Sequence, residues 1–163
     1  MRHSRRTRFT IIEQGQTGLL MSIAIKRVYE PKSRTDGARV LVDRLWPRGL
    51  TKADAGVDEW LKDLAPSNEL RQWYHARPEQ WEMFRKKYLR ELAQPACEEG
   101  LRRLYELAHK EKRLTLLFAS KQETQNNATV LKELLEGKRK PPTGTGPGAI
   151  SSMHPRSAAA RRR

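Results

Sequence analysis

Apolar positions along the chain follow two periods. Ile23, Ala24, Ile25, Val28 and Tyr29 form a β-branched run with partial alternation, ended by Pro31, and predict a first strand. Residues 39–46 predict a second, in which Val40-Leu41-Val42 carries no polar alternation, as expected of a strand covered on both faces. Pro47 cannot donate to a ladder and Gly49 frees the backbone, so this strand stops there. Leu114-Thr115-Leu116-Leu117-Phe118-Ala119 predicts a third strand of the same buried character.

The other apolar positions recur at helical spacing. Val57, Trp60, Leu61 and Leu64 fall at i, i+3, i+4 and i+7 and predict a helix capped by Thr51 or Asp54. Ser67 starts a short helix through Trp73-Tyr74, after the break at Ala65-Pro66. Pro78 suits a first turn, from which Trp81, Phe84, Tyr88 and Leu92 line one face. Leu101, Leu104, Tyr105 and Ala108 line the next helix, which ends in His109-Lys110. Asn126 or Asn127 caps a last helix bearing Val130, Leu131, Leu134 and Leu135, closed by Gly137.

The linkers constrain the topology. Residues 31–38 are too short for a parallel crossover, which needs about a dozen residues, so strands one and two are antiparallel or not neighbours. The long helical segment between strands two and three has room for a right-handed parallel crossover. The fold class is therefore α/β: a small three-layer sandwich, with a short, mainly parallel sheet of three or four strands and helices on its faces. Residues 22–137 form this single domain. Residues 138–163, rich in basic residues, Pro and Gly, cannot bury enough apolar surface to fold and are expected to be a disordered tail. Residues 1–21 read as a disordered basic arm, an organelle-type presequence, or sequence upstream of a start at Met21.

Charge changes this picture less than its total suggests. The formal net charge is +14. Residues 22–136 hold 22 basic and 18 acidic residues, whereas the flanks hold 11 basic and 1 acidic. The basicity thus lies mostly outside the foldable part, which weakens a DNA-reading face. No apolar run approaches the roughly 18 residues of a membrane helix. The single Cys97 excludes an intrachain disulfide and a Cys-rich zinc site, and it suits a reducing cytoplasm.

In open α/β sheets, ligands sit beyond the C-terminal strand ends. Strand two ends in Asp43, Arg44, Trp46 and Arg48; strand three is followed by Ser120, Lys121, Glu123, Gln125, Asn126 and Asn127. Parallel strands would open both sets on one edge. Arg44 and Arg48 offer forked donors, Lys121 a point charge, and the last helix its free N–H groups. Together with Trp46 and Asn126 they describe a pocket for a phosphate or carboxylate, with Asp43 as the acid/base group if there is a reaction. A structural ion pair of Asp43 with Arg44, Arg48 or Arg39 stands evenly against this. Helix capping is the stronger reading of Asn126 and Asn127, and core packing that of Trp46.

Other chemistries find no footing. Cys97 lies between helices, Ser120 has no nearby His, and His75 and His109 stand alone. There is no zinc spacing, Walker loop or G-x-G-x-x-G, so no metal or cofactor is expected. Whether the chain is an enzyme stays open. Two alternatives to an anion-binding protein remain. One is a nucleic-acid-associated module using the basic tails and the Arg85-Lys86-Lys87-Arg90 face. The other is a structural or partner-binding protein without a small-molecule site.

Four segments together resemble the bacterial DUF488 family, a domain of unknown function. They are Ile25-Lys26-Arg27-Val28-Tyr29, residues 39–49 (RVLVDRLWPRG), residues 60–67 (WLKDLAPS) and residues 116–121 (LLFASK). The resemblance covers residues 22–136 and implies a small cytosolic α/β protein without an established activity. It also implies a His in the loop where this chain has Gln125.

Overall fold

The computed structural model describes residues 22–137. The predicted basic arm and tail lie outside the described residues. Four strands, β1 (Ser22–Arg27), β2 (Ala38–Leu41), β3 (Glu59–Trp60) and β4 (Arg113–Phe118), form one sheet in the order β1-β4-β2-β3. Every pairing is parallel. β1 and β2 are not neighbours, as their short linker requires, and β4 inserts between them. The α/β expectation holds.

Among the described residues, five α-helices pack around the sheet: α1 (Lys52–Ala55), α2 (Asn68–His75), α3 (Trp81–Leu92), α4 (Glu98–Lys110) and α5 (Asn127–Leu135). Alternation along the strands splits the core in two. Ile23, Val40, Leu114, Leu116 and Phe118 face α3, α4 and α5 in the larger cluster, with Phe84, Tyr88, Leu104 and Leu131. Leu41 and Leu117 face the other way, against Val28 and Ala55, with Trp46, Leu50, Val57 and Trp60 around them. Long helices thus cover one face, and one helical turn with the indoles of Trp46 and Trp60 covers the other.

The helix predicted on Val57, Trp60, Leu61 and Leu64 is not formed. Thr51 caps α1, and Gly56 in the left-handed region (φ 59°) ends it after one turn. The chain then runs along β2. The Asp58 N–H donates to Arg39 O at 2.8 Å and the Leu61 N–H to Leu41 O at 2.9 Å. Strand pairing therefore satisfies the backbone where the periodicity suggested a helix, and a 3-10 turn over Lys62–Leu64 follows. α3 begins at Trp81, three residues after Pro78.

The opposite, N-terminal edge of the sheet is held by a buried arginine. Arg39 has no exposed surface. It donates to Asp36 Oδ2 at 2.6 Å, Ala55 O at 2.7 Å and Gly56 O at 2.9 Å. Asp36 also accepts from Lys26 at 3.0 Å and from the Ser33 N–H at 2.9 Å. Burial raises its pKa, but the donors Ser33, Lys26 and Arg39 outweigh that and hold it below the ordinary value. Gly37 follows with φ 67°, and a Cβ there would lie 2.2 Å from Arg113 O.

Candidate functional site

Parallel pairing places the C-terminal ends of β1, β2 and β4 on one edge. Asp43 stands there, just past β2. Its Oδ2 accepts from the Ala119 N–H at 2.8 Å, and its Oδ1 from the Asn127 side chain at 3.1 Å. Asn127 also donates to Val42 O at 2.9 Å. One carboxylate thus joins the ends of β2 and β4 to the first turn of α5. Burial pushes its pKa up, against the lowering effect of Ala119, Asn127 and the charge of Arg71. Asp43 makes no ion pair with Arg39, Arg44 or Arg48; Arg39 is committed to Asp36 at the other edge.

The remaining predicted residues divide into committed and free. Arg44 turns toward the segment before α2, donating to Ala65 O at 3.1 Å and, more weakly, to Pro66 O at 3.4 Å. Trp46 packs edge-on against Trp60, with ring centroids 5.4 Å apart, and donates to Leu50 O at 2.7 Å. Trp60 in turn donates to Asp43 O at 2.7 Å. Asn126 is the cap of α5: its Oδ1 accepts from the Thr129 N–H, while its amide donates to Gln122 O at 2.6 Å. Arg48 and Lys121 are exposed. Their side chains make no hydrogen bond or ion pair to another described residue.

Two further cations join this edge that strand-end inspection missed. Arg71 belongs to α2, yet its charge acts on Asp43. Arg27 closes β1 and donates to Ala119 O at 2.9 Å. The signal for Arg27 was its place at a strand end. Arg71 had none, because it sits on α2, far in sequence from any strand end. Gln125, where the resemblance implies a His, offers its main-chain carbonyl to the Tyr74 hydroxyl at 3.1 Å.

Nucleophile chemistry has no support at this edge. The Ser120 hydroxyl accepts from the Gln122 N–H. Cys97 is buried in a turn before α4, its thiol donating to Asp63 O at 3.3 Å, and burial raises its pKa. No group of three metal-ligating side chains occurs among the described residues. The Arg85–Arg90 face is partly folded back: Arg85 lies 4.9 Å from the Trp81 ring centroid and Lys87 5.1 Å from that of Trp73. No described helix is long and apolar enough to cross a membrane.

The family model described as the inactive DUF488-N3 subclade matches residues 22–152. The chain belongs to the DUF488 family. An uncharacterized protein of Escherichia coli (strain K12), YeaO, is 50% identical over 115 residues, 71% of this chain and 97% of that protein. The uncharacterized protein Rv3073c of Mycobacterium tuberculosis (strain ATCC 25618 / H37Rv) is 41% identical over 116 residues, 71% of this chain and 95% of that protein. No solved structure matches the chain. Within this DUF488 member, the Asp43 edge is formed by the same strand-end segments that carry the family resemblance.

Proposed function

We propose that this chain is a non-catalytic, cytoplasmic anion-binding protein whose site is the C-terminal edge of the sheet. One observation carries the reading. Parallel pairing brings the ends of β1, β2 and β4 to one edge, with Arg27, Arg44, Arg48 and Lys121 at or just past those ends in sequence, and Arg48 and Lys121 make no hydrogen bond or ion pair to another described residue. A phosphate or carboxylate would be held by these two side chains through charge-assisted hydrogen bonds. Asp43, with both oxygens engaged, serves to position the loop after β4 rather than to move protons. The word inactive in the matching subclade's name supports a non-catalytic role.

The test is calorimetric titration of the full-length chain with inorganic phosphate and with succinate. Binding is expected for at least one, and the Arg48→Ala/Lys121→Ala double variant should lose about tenfold or more in affinity. No heat, and no rise in melting temperature, at tens of millimolar of either anion would sink the reading.

A second reading rests on a different observation: Arg44 and Trp46 are already satisfied internally. The edge would then be a structural clasp in a partner-binding protein. Marked destabilisation of Asp43→Asn and Arg44→Met, together with no response to any anion, would favour it.

A further inference from the structure

Leu45 is 66% exposed, the highest value among the exposed large apolar side chains of the described residues. That exposure is built into the backbone on either side. Arg44 is anchored on the carbonyls of Ala65 and Pro66, and Trp46 on Leu50 O and the Trp60 ring. With both neighbours turned inward, the side chain between them is held outward. Tyr29, 41% exposed, is fixed to the same loop by its hydroxyl, which donates to Arg48 O at 3.0 Å. The Arg27 guanidinium, 5.1 Å from the Tyr29 ring centroid, braces it further. The loop after β2 therefore exposes Leu45 three positions before Arg48, itself exposed and without a side-chain partner among the described residues.

We propose that this face docks a protein segment that presents carboxylates around an apolar side chain. The proposal rests on the anion-binding reading above and names the anion as side-chain carboxylates of a protein. A free phosphate or small acid would use the cations but leave Leu45 without a role. Tyr and Arg, both exposed here, are enriched at interface centres, an exposed Leu in the same loop adds apolar area, and fixing it in advance lowers the ordering cost of association. Charge selects the partner. Arg48 and Lys121, without a partner among the described residues, complement acidic residues, whereas a second copy meeting itself across a twofold axis would present the same basic edge. Single-stranded nucleic acid would need a stacking platform; Leu45 is aliphatic, and the Tyr29 ring is attended by Arg27.

The test uses the full-length chain and four probes in calorimetric titration at low salt. They are inorganic phosphate, a Glu-rich peptide containing Leu and Phe, the same peptide with Leu and Phe replaced by Ser, and an oligothymidylate. The acidic apolar peptide is expected to bind at least about tenfold more tightly than the other three. Leu45→Ser and Arg48→Ala should each weaken it about tenfold with melting temperature unchanged. If phosphate binds but the peptide binds no better, or if Leu45→Ser has no effect, the docking proposal is overturned and the anion site stands. If no probe binds, both fall. Tighter binding of the oligothymidylate, or a dimer in sedimentation that Leu45→Ser dissociates, also overturns it by assigning the face to a different occupant.

Discussion

The Asn127 side chain donates both to Val42 O, at 2.9 Å, and to Asp43 Oδ1, at 3.1 Å, so one amide group ties α5 to the end of β2. The Ala119 N–H completes the arrangement on Oδ2. The carboxylate is thus held by neutral donors in a partly buried place, which sets the direction of its titration.

Burial raises the Asp43 pKa in the folded chain. The folded state then holds this proton more tightly than the unfolded state. Stability from the group is fully present below the ordinary aspartate range and is lost as pH rises through the raised value. Asp43→Asn abolishes that titration. The variant is expected to cost about 1 kcal/mol in acid, where one acceptor oxygen is lost, and to gain on the wild type as pH rises toward neutrality. Urea unfolding across this range measures the gap; a gap that does not change with pH would contradict the assignment.

Arg39→Met removes the donors to Asp36, Ala55 O and Gly56 O while leaving Asp36 buried. Breaking one partner of a buried ion pair costs about 3–5 kcal/mol. The melting temperature should fall by roughly 10 °C or more for a domain of this size. A fall of only a few degrees would show that Lys26 and water make good the loss.

Gly37→Ala should destabilise by more than about 2 kcal/mol. It combines a positive φ with a Cβ placed 2.2 Å from Arg113 O, a main-chain atom that cannot swing aside. By contrast, Gly49→Ala meets nothing within 4 Å and bears only the cost of its φ of 83°, about 1 kcal/mol. Chemical denaturation of both variants tests the ordering.

Tyr88→Phe deletes a buried hydroxyl that donates to Leu64 O. Leaving that carbonyl without its donor costs about 1–3 kcal/mol. The same hydroxyl, raised well above the usual tyrosine range mainly by burial, should stay protonated in the folded state. Ultraviolet titration of the wild type should therefore show one tyrosine ionising only on alkaline unfolding.

Most of the fold could be read from the chain because its signals were local. The apolar runs at 40–42 and 114–118, the stripe from Trp81 to Leu92 and the Asn126 cap each depend on neighbours in sequence. The failure at 57–64 was not local. Its spacing fits a helix, and only pairing of Asp58 and Leu61 with β2 makes it extended. The site was half legible. Strand ends pointed to Asp43, Arg48 and Lys121, but nothing in the sequence shows that Arg44 would spend its guanidinium on Ala65 and Pro66, or that Asn127 rather than Asn126 would reach Asp43. Those outcomes depend on loop paths fixed by tertiary packing.

The position of β4 at the sheet centre governs when the molecule can assemble. Among the described residues, β1 has no strand partner other than β4, and β2 otherwise pairs only with the two-residue β3. Contacts such as Asp43 to Ala119 span 76 positions. Such closures are entropically costly and slow relative to local ones. As the chain leaves the ribosome, β1 must therefore wait unpaired, and β2 with only β3 beside it, until residues 113–118 have emerged. The sheet closes only once β4 has been made, and the interval before it arrives is when this protein is most exposed to aggregation and chaperone capture.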